Sequence, residues 1–221
     1  ILRLASHLDG FYVPSLYDVA YNSDGTINAV TPKYDDVPPV VTKRIVEDLD
    51  SAPFPTDFPV PYLETVHDRV TVEVFRGCIR GCRFCQAGMV YRPYREKSSD
   101  SINACAMASC RNTGYNEISL SALSISDYSE IDKLVDKLLS WTENEKISLS
   151  LPSMRIDAFY EELMKKVMSV RKSGLTFAPE AGTQRLRDVI NKNITEEEIL
   201  SACKMAFDGG RSQIKLYFML G

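Results

Sequence analysis

Residues 117–151 contain one complete strand–helix–strand unit: EISLSALSISDYSEIDKLVDKLLSWTENEKISLSL. We interpret Glu117–Leu123 and Lys146–Leu151 as strands. The helix between them is predicted from an apolar stripe with helical spacing, formed by Ile131, Leu134, Val135, Leu138 and Leu139. Asp127, with Glu130 three residues later, resembles a helix-capping pair. Two strands joined through one helix are expected to be parallel, with a right-handed connection.

The same alternation runs from residue 69 to the end of the chain. Further strands are predicted at Val70–Phe75, Leu175–Ala178 and Gln213–Leu220, and further helices at about 102–113, about 157–170, from Thr183, and from Thr195 to Gly209. The five strands predict an α/β fold, which we interpret as a partial (βα) TIM-like barrel over residues 69–221. An open doubly wound sheet is the alternative. In both architectures the chemistry lies at the carboxyl ends of the strands.

Residues 1–68 have a different character and are interpreted as an N-terminal extension or linker. They contain most of the chain's 11 prolines, which disfavours a long helix across residues 50–62. Alternating apolar residues on both sides of the turn at Asn22–Gly25 predict a small hairpin. Residues 40–50 are predicted to form a short helix.

Composition sets broad limits on function. The 221 residues are 44% hydrophobic and carry a net charge of −4, so no general basic field points to bulk nucleic acid, although nucleic acid remains open as a local substrate. No apolar run approaches the roughly 18 residues that cross a bilayer, and no signal segment opens the chain. We therefore expect a cytoplasmic protein without a membrane partner. We also expect Ile1 and Gly221 to be cut points within a longer protein.

The strongest functional signal is the sequence Cys78-Ile79-Arg80-Gly81-Cys82-Arg83-Phe84-Cys85, directly after the first barrel strand. Three cysteines at this spacing can surround one cluster, and three thiolates on a four-iron cluster leave one iron without a protein ligand. An open metal position is typical of catalytic sites. Gly77 and Gly81 allow the tight turns that such a loop needs.

Two other kinds of metal site are alternatives to this interpretation. A structural zinc site needs four protein ligands, and the only histidines, His7 and His67, lie in the extension. A ferredoxin-like electron carrier needs a fourth cysteine, and three are available: Cys105, Cys110 and Cys203. All three lie on apolar helix faces, where a cysteine usually serves as a small buried hydrophobic residue.

The cysteine spacing, the aromatic Phe84 before the last cysteine and the βα repeat together resemble the radical S-adenosylmethionine (radical SAM) superfamily. The resemblance implies a 4Fe–4S cluster on Cys78, Cys82 and Cys85. It also implies S-adenosylmethionine as a second cofactor, cleaved reductively to a 5′-deoxyadenosyl radical that acts on a substrate. The superfamily's partial barrel has six strands, so five of an expected six are predicted here.

A narrower resemblance covers nearly the whole chain. It rests on Gly10–Ser15, Val66–Arg69, Arg76–Arg95, Glu117–Tyr128 and Phe177–Thr183, which are similar to the cobalamin-binding-domain-containing radical SAM proteins, often labelled Fe–S oxidoreductases of unassigned reaction. This subgroup implies cobalamin-linked methyl transfer in the full-length protein. The cobalamin would be held by a domain that this chain does not contain.

The superfamily pattern also implies candidate cofactor-binding residues at the ends of the strands. Ser119 and Ser121 match the positions that contact the methionine amino group, although the superfamily's usual glycine-rich, acid-containing sequence is missing there. Arg155, after the third strand, is expected to meet the substrate or the S-adenosylmethionine carboxylate. Glu180, after the fourth strand, is expected to bind the amino group or the ribose. Phe84, before the last cysteine, is the remaining candidate cofactor-binding residue. The residue that carries the chemistry on the substrate is not identified.

Partners follow from charge and from the sheet edge. The cysteine loop and its flanks are rich in arginines: Arg76, Arg80, Arg83, Arg92 and Arg95. These arginines would dock an acidic electron donor such as flavodoxin or ferredoxin, tune the cluster potential or bind an anionic substrate. The alternative is that they form only a solvated rim. A barrel without its last strand exposes an edge. We therefore expect a homodimer or an empty cluster loop. The alternative to an enzyme is a non-catalytic Fe–S electron-transfer module.

Overall fold

The computed structural model describes residues 1–152, 154–158, 166 and 175–220. The chain divides into two compact units, the first ending at Glu47 and the second beginning at Asp48. The proline-rich composition had suggested one extension over residues 1–68. Residues 48–68 are instead grouped with the second unit, where Leu49 is 1% exposed and an Asp50 carboxylate oxygen accepts a 2.9 Å hydrogen bond from the Ser98 N–H.

The first unit is built around the predicted hairpin. Strands β1 (Tyr17–Tyr21) and β2 (Ile27–Pro32) pair antiparallel, and the turn between them is closed by a 2.8 Å hydrogen bond from the Asn22 N–H to the Thr26 carbonyl. A four-residue helix, α1 (Leu2–Ala5), and a 3₁₀ turn at Pro14–Leu16 precede the hairpin. A small core of Leu16, Tyr17 and Val37 is buried below them.

The short helix predicted for residues 40–50 is wrong, because these residues form no helix. Most helical stability in a protein comes from burying an apolar face. Val40 is 76% exposed, Ile45 41% and Val46 43%, so a helix here would have no core to pack against.

The second unit has the predicted alternation of strands and helices. Its described strands are β3 (Val70–Glu73), β4 (Phe75–Arg76), β5 (Arg95–Glu96), β6 (Glu117–Ser121), β7 (Ser148–Ser150), β8 (Leu175–Glu180) and β9 (Ile214–Phe218). β3, β6 and β7 form a parallel sheet in that order, and β8 pairs parallel with β9. The α/β fold with parallel strands is therefore as predicted. Within the described residues β7 and β8 are not paired, so the strand count of a closed barrel stays a prediction.

The helices begin and end largely where the sequence indicated. They are α2 (Ala87–Val90), α3 (Ser99–Thr113), α4 (Ile131–Glu145), α5 (Gln184–Val189) and α6 (Glu196–Asp208). α3 ends at Gly114, whose φ is +76°, and α6 begins with the predicted capping box of Thr195 and Glu198. Apart from a 3₁₀ turn at Ile156–Ala158 and Lys166, the helix predicted at about 157–170 lies outside the described residues.

The main core lies between the β3–β6–β7 sheet and helices α3 and α4. Its fully buried members include Val72, Ile102, Ile118, Leu120, Leu134, Leu138 and Leu149. Complete burial of one such side chain stabilises the fold by about 1.5–3 kcal/mol. A second cluster, around Phe177 and Ile194, joins β8 to α6. These two cores hold the carboxyl ends of the strands in place.

Asp127 does not cap α4. The helix begins after Glu130, whose side chain makes no cap hydrogen bond to α4. Glu130 instead accepts a 3.3 Å hydrogen bond from the Ser99 N–H, in the first turn of α3. Asp127 lies in a separate 3₁₀ turn, Ile125–Asp127, from which its carboxylate pairs with the guanidinium of Arg80.

Candidate functional site

One cavity of about 330 Å³ lies at the carboxyl ends of the strands. The cysteine loop forms one wall, and the segments after β6 and β7, the end of β8 and the loop before α6 form the others. Its lining includes Cys78, Arg80, Cys82, Phe84, Cys85, Met154, Arg155, Glu180, Lys192 and Ile194. Six of the eight predicted site residues therefore meet in one place.

The two serines do not reach this cavity. Ser119 lies in the middle of β6, between paired strands, and is 7% exposed. Ser121 lines a different depression beside Arg76 and Gly77, and its carbonyl accepts a 3.0 Å hydrogen bond from the Val74 N–H. Neither serine lines the cavity that holds the three cysteines, so their assignment to the methionine amino group stays a prediction.

The cysteine loop, residues 77–94, connects the antiparallel strands β4 and β5. Gly77 enters it with φ +93°, and a Cβ there would lie 2.8 Å from the carbonyl oxygens of both Tyr91 and Pro93. Only glycine satisfies both the conformation and the space. This pair of strands, which the sequence analysis did not predict, brings the two ends of the loop together.

Backbone N–H groups point at two of the sulfurs. The Arg80 N–H donates to the Cys78 Sγ at 3.4 Å, and the Gly88 N–H donates to the Cys85 Sγ at 3.4 Å. Hydrogen bonds to the cysteine sulfurs are one means by which a protein tunes the potential of an iron–sulfur cluster. The donor set and its surroundings therefore fit a cluster bound by thiolates.

The cysteine arrangement does not have the geometry of a single-ion site. Among the described residues, which include all three loop cysteines, no three Cys, His, Asp or Glu side chains converge closely enough to hold one metal ion. Sulfurs sharing one tetrahedral zinc ion would lie about 3.8 Å apart, given Zn–S bonds of about 2.3 Å. The ligation of a cluster by the three cysteines and the structural zinc alternative both stay predictions.

The remaining cysteines lie away from the cavity lining. Cys110 is 4% exposed within α3 and belongs to the main core. Burial, with a smaller contribution from the Glu145 carboxylate, raises its pKa to about 11. Burial also raises the pKa of Cys203. Cys110 is thus the core residue that was predicted, whereas Cys203 is only half-buried and belongs to neither core cluster.

A network of two arginines and two aspartates lies beside the cysteine loop. Arg80 donates to both carboxylate oxygens of Asp127, at 2.9 and 2.5 Å, and lies 3.2 Å from an Asp157 oxygen. Arg155 donates to both oxygens of Asp157, at 2.8 and 3.2 Å. Burial raises the pKa of Asp127, but hydrogen bonding and charge from Arg80 outweigh it, and the pKa lies below its usual value. The network is electrically balanced when all four groups are ionised.

Glu180 faces Lys192 across the cavity mouth. The Lys192 Nζ lies 3.4 Å from a Glu180 carboxylate oxygen and 5.9 Å from the centre of the Phe84 ring. Glu180 itself has a φ of +67°, a backbone conformation that is strained for a residue with a side chain and that is common at functional sites. Both side chains are largely buried, at 18% and 11% exposed.

Sequence reasoning missed four residues of this site: Asp127, Asp157, Asn191 and Lys192. Asp127 had an apparent explanation as a cap, and Asp157 fell at the start of a predicted helix. The Asn191-Lys192-Asn193 segment carried the one usable signal, because asparagine tolerates positive φ. Asn191 and Asn193 do have φ values of +55° and +51°, which turn the chain sharply at the cavity wall.

No helix among the described residues is long and apolar enough to span a membrane.

Comparison with known families identifies the second unit. The model of the radical SAM superfamily matches residues 72–221. Among curated proteins, the uncharacterized protein MJ0966 of Methanocaldococcus jannaschii is 35% identical over 150 residues, covering 68% of this chain and 32% of that protein.

Solved structures support the fold. The radical S-adenosylmethionine methyltransferase TsrM from Kitasatospora setae, solved with cobalamin and a [4Fe-4S] cluster, superposes with a TM-score of 0.57 at 12% identity, over 69% of this chain and 31% of TsrM. The cobalamin-dependent S-adenosylmethionine radical enzyme OxsB superposes with a TM-score of 0.55 at 14% identity, over 92% of this chain and 30% of OxsB. The chain thus spans about a third of the length of each of these three proteins.

Proposed function

This chain belongs to the radical SAM superfamily, and we propose that it is part of an enzyme with a 4Fe–4S cluster bound by Cys78, Cys82 and Cys85. When bound, the cluster and S-adenosylmethionine would together supply a 5′-deoxyadenosyl radical that abstracts hydrogen from a substrate. The observation that carries the proposal is the meeting of all three cysteines with Arg155, Glu180 and Lys192 around one cavity.

The chain's own residues would bind and orient the cosubstrate. We assign Glu180 to its amino group or ribose, because Glu180 is the cavity's carboxylate at the end of β8. Arg155 is assigned to a carboxylate of the cosubstrate or the substrate. Its orientation is already set by Asp157 and by a 3.1 Å hydrogen bond to the Lys192 carbonyl, and such pre-orientation lowers the cost of binding.

Anaerobic reconstitution with iron and sulfide tests the proposal. We expect about four irons per chain and, after reduction, an electron paramagnetic resonance signal that shifts when S-adenosylmethionine is added. Cys82→Ala should lose most of the iron. Cys203→Ala is the matched control, because it removes a cysteine outside the cavity lining, and it should keep the iron.

The alternative is a non-catalytic Fe–S electron-transfer module. A four-iron signal that S-adenosylmethionine does not move, in this chain and in the full-length protein, would favour that alternative. Loss of the cluster from Cys105→Ala, Cys110→Ala or Cys203→Ala would also favour it, because a fourth protein ligand leaves no open iron.

We further propose that the full-length protein carries out cobalamin-linked methyl transfer. Support comes from TsrM, which was solved with cobalamin bound, from OxsB, which is cobalamin-dependent, and from the subgroup resemblance in the sequence. This part is tested by measuring the binding of cobalamin to the full-length protein through the visible absorption of cobalamin. A full-length protein that binds no cobalamin would exclude it.

Location and partners complete the proposal. We propose a cytoplasmic location, with flavodoxin or ferredoxin as the electron donor and an unidentified substrate, for which nucleic acid remains open.

The exposed apolar strand β9, with Tyr217 60% and Phe218 50% exposed, supports a homodimer of this chain. A monomeric mass by light scattering would contradict the dimer.

A further inference from the structure

The cysteine loop is held from two opposite sides by residues that are far away in sequence. On one side, the guanidinium of Arg80, in the middle of the loop, makes two hydrogen bonds to Asp127 and an ion pair with Asp157. The Asp127 side chain is only 4% exposed. Bidentate hydrogen bonds between an arginine and a carboxylate are strong and directional. The position of Arg80 is therefore set by the segment that follows β6.

On the other side, the loop is bonded to the end of α5 and the turn after it. The Asn191 side-chain amide donates to the Gly81 carbonyl at 2.7 Å, and the Arg83 N–H donates to the Ile190 carbonyl at 2.9 Å. The Arg83 guanidinium also donates to the carbonyls of Asp188 and Val189. A Cβ on Gly81 would lie 3.1 Å from the Asn191 amide nitrogen, so this contact is close-packed as well as hydrogen-bonded.

We propose that Asp127 and Asn191 are positioning residues, which hold the Cys78–Cys85 loop ready for the cluster before any iron is bound. This inference rests on the proposed function for the identity of the cluster. Neither residue lies among the three cysteines, and each acts through a loop residue between them: Asp127 through Arg80, and Asn191 through Gly81. Together they fix the loop against the walls formed after β6 and after α5.

The two sets of contacts made by Asp127 and Asn191, here called the clamp, also change the interpretation of the arginine-rich loop. Arg80 is committed to two carboxylates and Arg83 to backbone carbonyls. Arg76 is paired with Glu73 through two hydrogen bonds, at 2.9 and 2.7 Å. Arg76 and Arg80 therefore have their charges balanced by carboxylates within the fold. The Arg83 guanidinium is held by neutral carbonyls, which position it but leave its positive charge on the exposed surface.

The first test uses the apo protein, where no cluster can stabilise the loop. Hydrogen–deuterium exchange is measured over residues 78–90 in the wild type, Asp127→Asn and Asn191→Gly. Asn191→Gly is chosen because glycine adopts the positive φ without strain and has no side chain to donate to the Gly81 carbonyl. We expect exchange in the loop to be about tenfold faster in each variant, since each loses a strong long-range hydrogen bond. Asp208→Asn, which alters an exposed pair with Lys204, should change nothing.

The second test measures cluster loading and its electronic state. We expect both variants to take up several-fold less iron, and the cluster that forms should have a shifted midpoint potential and an altered resonance signal with S-adenosylmethionine. A purely structural role elsewhere in the fold would leave the potential unchanged. Asp127→Glu should restore part of the loading because it keeps the carboxylate.

The outcomes separate the two proposals. Wild-type loop exchange together with wild-type loading in both variants would overturn the clamp. If neither this chain nor the full-length protein takes up a cluster, the proposed function fails, and the exchange experiment alone still decides whether Asp127 and Asn191 hold the loop.

Discussion

Substitution of Gly77 by alanine should destabilise the second unit by about 3 kcal/mol. Two effects add at this position. A φ of +93° costs an L-residue roughly 1–2 kcal/mol. The added Cβ would also meet two carbonyl oxygens at 2.8 Å and the Tyr94 Cα at 3.0 Å. These are all backbone atoms, and overpacking of this kind costs about 1–3 kcal/mol.

Two other glycines separate these effects. Gly114 also has a positive φ, +76°, but a Cβ there would meet nothing within 4 Å, so Gly114→Ala should cost only the conformational part, about 1–2 kcal/mol. Gly182 has neither a positive φ nor a neighbour within 4 Å, and Gly182→Ala should lie within about 0.5 kcal/mol of the wild type.

Urea unfolding of the apo protein measures the differences. The chain has a single tryptophan, Trp141 in α4, which is 8% exposed and donates to the Asn103 side chain at 2.9 Å. Its fluorescence therefore reports the second unit alone. The reasoning is refuted if Gly77→Ala is no less stable than Gly114→Ala, because the crowding at the entrance of the cysteine loop would then cost nothing.

Three further predictions follow from local features. Thr195→Ala should cost about 1 kcal/mol in the same assay, because it removes the capping box of α6; an unchanged midpoint would contradict this. The Lys133 ammonium and the Ser99 hydrogen bonds lower the pKa of Glu130 to about 2 from 4.5, so its stabilising effect is present above about pH 4.5 and is lost as the pH falls towards 2. The difference in melting temperature between the wild type and Glu130→Gln should therefore shrink from about pH 5 to about pH 3, and a constant difference would exclude the ionised carboxylate as its source. Finally, Cys110, with its pKa raised to about 11, should be alkylated much more slowly at neutral pH than the loop cysteines in the apo protein, as peptide mass spectrometry would reveal; equal rates would contradict its burial.

The charge network beside the cysteine loop affects how the cavity can bind ligands. Arg155 and Arg80 together face Asp127 and Asp157, and Lys192 faces Glu180. Of these groups, Arg80, Arg155, Lys192 and Glu180 line the cavity itself, so its charged lining is three cationic side chains and one carboxylate. The proposed assignment of Arg155 to a carboxylate and of Glu180 to an amino group uses one charge of each sign.

Local sequence patterns were sufficient for the strands, most helix ends and the cysteine loop. The five parallel strands were predicted within a few residues, since each is a short apolar segment between turn or capping residues. The capping box at Thr195 and the stop at Gly114 are encoded within a few neighbouring positions. The cysteine spacing was enough to indicate the family, which the match over residues 72–221 confirms.

Long-range partners were beyond the reach of the sequence. Asp127 looked like a helix cap because capping is a local pattern, yet its carboxylate meets Arg80, 47 residues earlier. Ser119 and Ser121 were chosen by position on a strand, but Ser119 lies between two paired strands and Ser121 lines a depression other than the cavity. Asn191 and Gly81 are 110 residues apart, and no spacing rule links them.

The amino-acid sequence by itself determined the alternation of strands and helices, the cysteine loop and its place after the first parallel strand, because these depend on the propensities and periodicity of adjacent residues. Only the tertiary structure decided which charges surround that loop, since ion pairs and hydrogen bonds between distant segments form after the sheet and helices have brought those segments within a few ångströms of each other.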